Sequence, residues 1–106
     1  TINNKADTLS YLGSNYNLMK RYDEAEQSYC GALGLYRQMA QGADSIDVAV
    51  TLSNLGGNYM DKGDDNEGIL KLKEALSIFQ RLDPENPKIK ELQDVIASQN
   101  SYCVIL

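Results

Sequence analysis

At 106 residues the chain is long enough for one modest core, and its 42% apolar share is that of a soluble globular unit. A net charge of −5 with no cluster of Lys and Arg excludes a nucleic-acid partner, and no run reaches the ~18 apolar residues of a membrane span. The chain has no His, the commonest general base and metal ligand, so no catalysis, metal or cofactor is expected.

The chain opens on Thr1-Ile2-Asn3-Asn4-Lys5, without a starting Met or a signal-peptide pattern, which reads as a cut from something longer. Leu9, Leu12, Tyr16 and Met19 then recur at helical spacing and predict a first helix over 3–19, broken at Lys20-Arg21-Tyr22. Asp23, followed three residues later by Glu26, makes a capping-box pattern that opens a second helix over 23–40. Its apolar stripe is Ala25, Tyr29, Ala32, Leu33 and Tyr36. After a linker from about Gln38 to Asp47, Ser45 or Asp44 caps a third helix over 45–61, carrying Ile46, Val50, Leu52, Leu55 and Tyr59.

Lys62-Gly63 turns the chain, and Asp64 with Glu67 forms another capping box for a fourth helix over 64–82. Ile69, Leu72, Ala75, Leu76 and Phe79 supply its stripe. Asp61, Asp64, Asp65 and Glu67 read as the favourable negative charge of a helix start, since their spacing does not fit a calcium loop. The fourth helix runs out at Leu82-Asp83-Pro84. Asn86-Pro87 starts a fifth over 87–100, with Ile89, Leu92, Val95 and Ile96 covering the fourth.

The chain also matches itself at a shift of 43 residues. Thr8, Leu9, Ser10, Leu12, Gly13 and Tyr16 fall on Thr51, Leu52, Ser53, Leu55, Gly56 and Tyr59. Ala32, Leu33, Leu35 and Tyr36 fall on Ala75, Leu76, Ile78 and Phe79. Each unit is therefore two helices and a tight turn, with small residues where the helices must approach closely. The expected fold is all-α: an antiparallel helix-pair solenoid with unit 1 and its linker over 1–43, unit 2 over 44–85, a capping helix over 86–101 and a tail over 102–106.

The Leu, Leu-Gly and Tyr of each first helix, with the Ala, aromatic and Ala of each second, resemble the tetratricopeptide repeat. The period of that repeat is about 34 residues, so this chain carries a lengthened linker. That linker and the segment Asp47-Val48-Ala49-Val50-Thr51-Leu52-Ser53-Asn54-Leu55-Gly56 look like the kinesin-light-chain subtype, from about Lys5 to Pro87. Gly68, where the family has Ala, and Gly57 depart from the pattern and imply a looser second unit.

The resemblance implies binding of a protein or peptide partner rather than catalysis, with the first helix of each unit lining a concave groove. Carried onto this sequence, the groove holds Asp7, Ser10, Ser14 and Asn17 from unit 1, and Val50, Ser53, Asn54, Gly57 and Met60 from unit 2. Asn54 stands out because an amide can donate to and accept from a peptide bond together. Family members that bind chaperone tails clamp the terminal carboxylate with Lys, Arg and Asn. Here the matching positions hold Ser10, Ser14 and Gly57, and only Asn54 agrees, so tail binding of that kind is not expected.

Two distant cysteines, Cys30 and Cys103, match no zinc or redox spacing and fit a reducing, cytoplasmic setting. The terminal Cys103-Val104-Ile105-Leu106 matches a prenylation signal whose final Leu favours geranylgeranylation. That reading adds a prenyltransferase or a lipid-binding chaperone as partners and peripheral membrane attachment in a eukaryotic cell. A single lipid holds a membrane only marginally, and no polybasic segment adjoins it. With two full units the groove is short, so self-association or further repeats are routes to completing it. The alternative is a structural end piece of a longer solenoid, with no lipid and no binding site of its own.

Overall fold

The computed structural model describes the backbone of residues 1–105 and the side chains of residues 1–99. Five helices follow in order: α1 (Ile2–Leu18), α2 (Tyr22–Met39), α3 (Ile46–Lys62), α4 (Asp65–Leu82) and α5 (Lys88–Ile105). α1 packs against α2 and α3 against α4 as antiparallel pairs, α2 packs against α3 between them, and α5 lies on α4. The stack measures 48 × 32 × 20 Å, and no described residue lies in a strand.

The helix boundaries follow from local chemistry. The Thr1 hydroxyl accepts the Asn4 N–H at 3.2 Å, and the Ser45 hydroxyl accepts that of Val48 at 3.2 Å. The Asp64 carboxylate accepts the Glu67 N–H at 3.4 Å. These are the side-chain caps a helix start requires. The cap expected at Asp23 does not form. α2 starts a residue earlier at Tyr22, so Asp23 falls inside the first turn, and its carboxylate takes the Lys62 ammonium at 2.7 Å instead.

Both intra-unit corners have one design. Lys20 and Gly63, 43 residues apart, are the left-handed residues of their turns, at φ 61° and 103°. Beyond each, the next N–H returns to a tyrosine carbonyl: Arg21 to Tyr16 and Asp64 to Tyr59, both at 2.8 Å. At the start of α5 the Asn86 side chain accepts the Lys88 N–H at 2.9 Å. α5 then continues to Ile105, past the end expected near Asn100, because no Gly or Pro interrupts it. The segment 102–105, expected as a tail, is thus helical backbone.

The core follows the register. Ala32, Leu33 and Tyr36 of α2, Val48, Ala49 and Leu52 of α3, and Leu72, Ala75, Ile78 and Phe79 of α4 form one buried cluster, closed by Leu92 and Ile96 of α5. A second cluster joins Ala25 and Tyr29 of α2 to Leu55 of α3, with Tyr16 and Tyr59 half-buried beside it. Val95 is exposed rather than part of the α5 seam. Leu12, expected in the core, is exposed because it lies on the side of α1 that no other described helix covers, and Met19, at the C-terminal cap of α1, is exposed as well.

Candidate functional site

α1 and α3 stand side by side with little direct contact, and the gap between them forms two adjoining clefts. The first, of ≈ 370 Å³, is lined by Asp7, Ser10, Tyr11 and Ser14 of α1, Tyr36 of α2 and Asn54 of α3. The second, of ≈ 400 Å³, continues along the same helices past Ser14, Asn17, Ser53, Asn54 and Gly57 to Asp61, with Lys88 of α5 at its edge. Ser14 and Asn54 belong to both. Seven of the nine residues expected in the groove, Gly57 among them, are therefore brought together.

Their side chains are not equally available. The Tyr36 hydroxyl, reaching up from the core, donates to Asp7 Oδ1. Burial, and then this bond to a carboxylate, hold the phenol well above its ordinary pKa, so it stays a donor. Ser14 Oγ and the Tyr29 hydroxyl share a hydrogen bond of 3.1 Å. Asn17 is committed to structure: its Nδ2 donates to Asn58 Oδ1 at 2.9 Å and to Asp61 Oδ2 at 3.1 Å. Asn58 in turn donates to the Tyr22 carbonyl at 3.0 Å, so one amide chain ties α1, α3 and the start of α2. Asn54 differs. It is half-buried at the junction of the clefts, and its amide has no hydrogen-bond partner among the described residues.

Two expected residues do not join the groove. Val50 is 38% exposed and lines neither cleft. Met60 turns away into the α3–α4 interface, where a Cβ on Gly68 would meet its Cγ at 2.4 Å. It occupies space that the missing side chain of Gly68 leaves and lines neither cleft. Cys103, read as the lipidation site, has its side chain outside the described residues.

The sequence reading also missed groove residues. Tyr36 was assigned to the core stripe, and its ring is buried, but its hydroxyl opens into the cleft. Tyr11 is 75% exposed on the rim. Its counterpart at the 43-residue shift is Asn54, so the register was the signal that could have pointed to it.

The groove presents polar groups and one aromatic ring. Its lining offers hydroxyls, one uncommitted amide, an exposed aromatic ring and a carboxylate toward either end. Asp7 and Asp61 lie about 15 Å apart, since Asp61 meets Asn17, ten residues along α1 from Asp7, at ~1.5 Å per residue. Among the described residues no group of His, Cys, Asp and Glu is arranged to hold a metal ion.

A comparison with curated protein sequences returned no significant match. A comparison with family profiles matched the one described as tetratricopeptide repeat over residues 4–81, which takes in α1 through nearly all of α4. That span contains both helix pairs, both left-handed corners and the 43-residue register of Leu, Gly and Tyr described above. The chain therefore belongs to the tetratricopeptide repeat family.

Proposed function

We propose that the chain is a non-enzymatic interaction module that holds a peptide or helix of a partner protein along the groove between α1 and α3. Repeats of this family build protein-interaction modules, and the observation that carries the reading here is Asn54. A half-buried amide with no hydrogen-bond partner among the described residues sits where both clefts meet, beside Ser10, Ser14 and Ser53. It can donate to and accept from one peptide bond of a bound chain. Tyr11 supplies a rigid aromatic anchor on the rim. Asp7 and Asp61 favour positive side chains on the occupant. At ~3.3 Å per residue, an extended chain would present them four or five residues apart.

The test is to isolate partners by affinity capture, identify them by mass spectrometry and titrate one against Asn54→Ala by calorimetry. The expected loss is about 1 kcal/mol or more with unchanged circular dichroism, the value of a hydrogen-bond pair. Unchanged affinity sinks the assignment of Asn54 to the groove.

The lengthened linker and the 43-residue period also support placement near the kinesin-light-chain subtype. A second reading adds a geranylgeranyl tether on Cys103 and peripheral membrane attachment for an otherwise cytoplasmic protein. The Cys-Val-Ile-Leu sequence supports it. Intact-mass analysis after expression in eukaryotic cells decides it: an unmodified mass with a confirmed natural C-terminus ends the lipid reading.

A further inference from the structure

The two clefts differ in charge. The first is lined by Asp7, Ser10, Tyr11, Ser14, Tyr36 and Asn54, a carboxylate with no cation beside it. The second holds Asp61, but Lys88 stands at its edge and the Asn17 amide already donates to that carboxylate. Asp7 makes no ion pair among the described residues. Of its two oxygens only Oδ1 is engaged, by the hydroxyl of Tyr36, a residue anchored in the core. No buried side-chain oxygen or nitrogen among the described residues lacks a partner, so the unengaged Oδ2 of this half-buried residue is open to solvent.

Tyr11 follows Asp7 by four residues on α1, so the two side chains are neighbours on one face. At 75% exposure its ring has a face free. The molecule already shows what such a ring does with a cation: the Arg21 guanidinium lies 5.0 Å from the centre of the Tyr16 ring. No cation among the described residues stands over Tyr11 in that way. Ser10 and Asn54, which line the same cleft, have side chains without hydrogen-bond partners among the described residues. The cleft thus sets three unengaged acceptors, Asp7 Oδ2, Ser10 Oγ and the Asn54 carbonyl, beside an open aromatic face. We propose, resting on the reading of the groove as a peptide site, that the first cleft receives an arginine side chain of the bound chain. Its guanidinium pairs with Asp7 and stacks on Tyr11.

The chemistry of the cleft selects that side chain among the alternatives. A guanidinium is planar and only donates, so its fork can reach a carboxylate and a second acceptor while its face lies on a ring. Lysine carries a compact, strongly hydrated charge that would keep Asp7 and gain less from Tyr11. An acidic side chain would meet Asp7 and, on the other side of Tyr36, Asp47 of α3, with no cation lining the cleft. The Tyr36 hydroxyl holds Asp7 in place before a ligand arrives, so little side-chain freedom is lost on binding.

The experiment pans the 106-residue chain against a display library of random peptides and titrates the enriched peptides by calorimetry. Arginine is expected at one shared position among them. Asp7→Asn should weaken their binding about tenfold, the scale of a lost hydrogen bond to a charged group. The asparagine keeps an acceptor for the Tyr36 hydroxyl, so circular dichroism and Tm should not change. Replacing the peptide's arginine with lysine, or Tyr11→Ala, should each cost about two- to fivefold, because both remove the stack. Peptides that bind and lose affinity on Asn54→Ala, yet share no arginine or ignore Asp7→Asn, overturn the arginine site and leave the groove standing. Peptides indifferent to Asn54→Ala and Asp7→Asn alike overturn both readings, as does a library that yields no binder.

Discussion

The two helix pairs share one register but meet in different ways. In the α1–α2 pair, Gly13 lies against the flat of the Tyr29 ring, where a Cβ would come within 2.7 Å of ring carbons. In the α3–α4 pair, Leu72 replaces Tyr29 and Gly68 replaces Ala25, and the two backbones themselves come into contact. A Cβ on Gly56 would lie 2.9 Å from the Gly68 carbonyl oxygen, and one on Gly68 would lie 2.8 Å from that of Gly56. Gly68 costs about 1 kcal/mol of helix propensity relative to Ala, which by itself implies a looser unit. The packing shows the reverse: the residue is buried, and the contact tolerates nothing larger. Propensity speaks for an isolated helix, and here the neighbouring helix sets the demand.

The sharpest way to break this comparison is to add one methyl to each pair. Gly68→Ala pushes a Cβ into Met60 Cγ and a backbone oxygen, and backbone cannot swing aside as a side chain can. We expect it to destabilise the chain by about 2–3 kcal/mol, the upper range for overpacking, even after its gain in propensity. Gly13→Ala meets only a ring, which can tilt by giving up its bond to Ser14, and should cost about 1–2 kcal/mol. Urea unfolding measures both. The opposite order would mean that the α1–α2 contact is the tighter one.

Next in size is the pair Asn15 and Asn58, identical residues in matching places with different surroundings. Asn58→Ala removes the side-chain donor from the Tyr22 carbonyl and leaves the Asn17 amide with Asp61 alone. It should cost about 1–3 kcal/mol. Asn15→Ala removes an exposed side chain and should stay within about 0.5 kcal/mol. Equal losses in denaturant unfolding would mean that Asn58 acts through helix propensity and not through the amide chain.

These contrasts show what the sequence could and could not carry. The first four helices, their pairing and both corners were legible because Leu, Gly and Tyr repeat at one shift, and a shared shift requires shared contacts; the fifth was legible from Asn86-Pro87 and its apolar spacing. The groove positions came from the family resemblance instead, and seven of the nine, Gly57 included, line the clefts between α1 and α3. The register was silent wherever the two units have different neighbours. It placed Leu12 in the core because Leu55 belongs there, although only α3 has a helix lying on it. The resemblance placed Met60 in the groove, although the absent Cβ of Gly68 opens a nearer site for its side chain. The Asp23–Glu26 pattern was read as a cap, and the corner at Lys20 instead delivers the chain into α2 one residue sooner.

The smallest effect lies at that corner. Lys20 and Gly63 do the same task at φ 61° and 103°, and both are followed by an N–H that returns to a tyrosine carbonyl at 2.8 Å. A left-handed residue with a Cβ crowds the next carbonyl, at a cost of roughly 1–2 kcal/mol that glycine does not incur. Glycine in turn loses more freedom on folding, which takes back part of the difference. Lys20→Gly should therefore stabilise the chain by about 0.5–1 kcal/mol, the usual scale for a backbone-compatible change. The side chain itself does not obscure the result, because Lys20 is exposed and its ammonium makes no hydrogen bond or ion pair among the described residues. Gly63→Lys is the mirror experiment and should lose a similar amount. If thermal unfolding shows Lys20→Gly neutral while Gly63→Lys is costly, the two corners are not equivalent, and the first unit tolerates strain at its turn that the second does not.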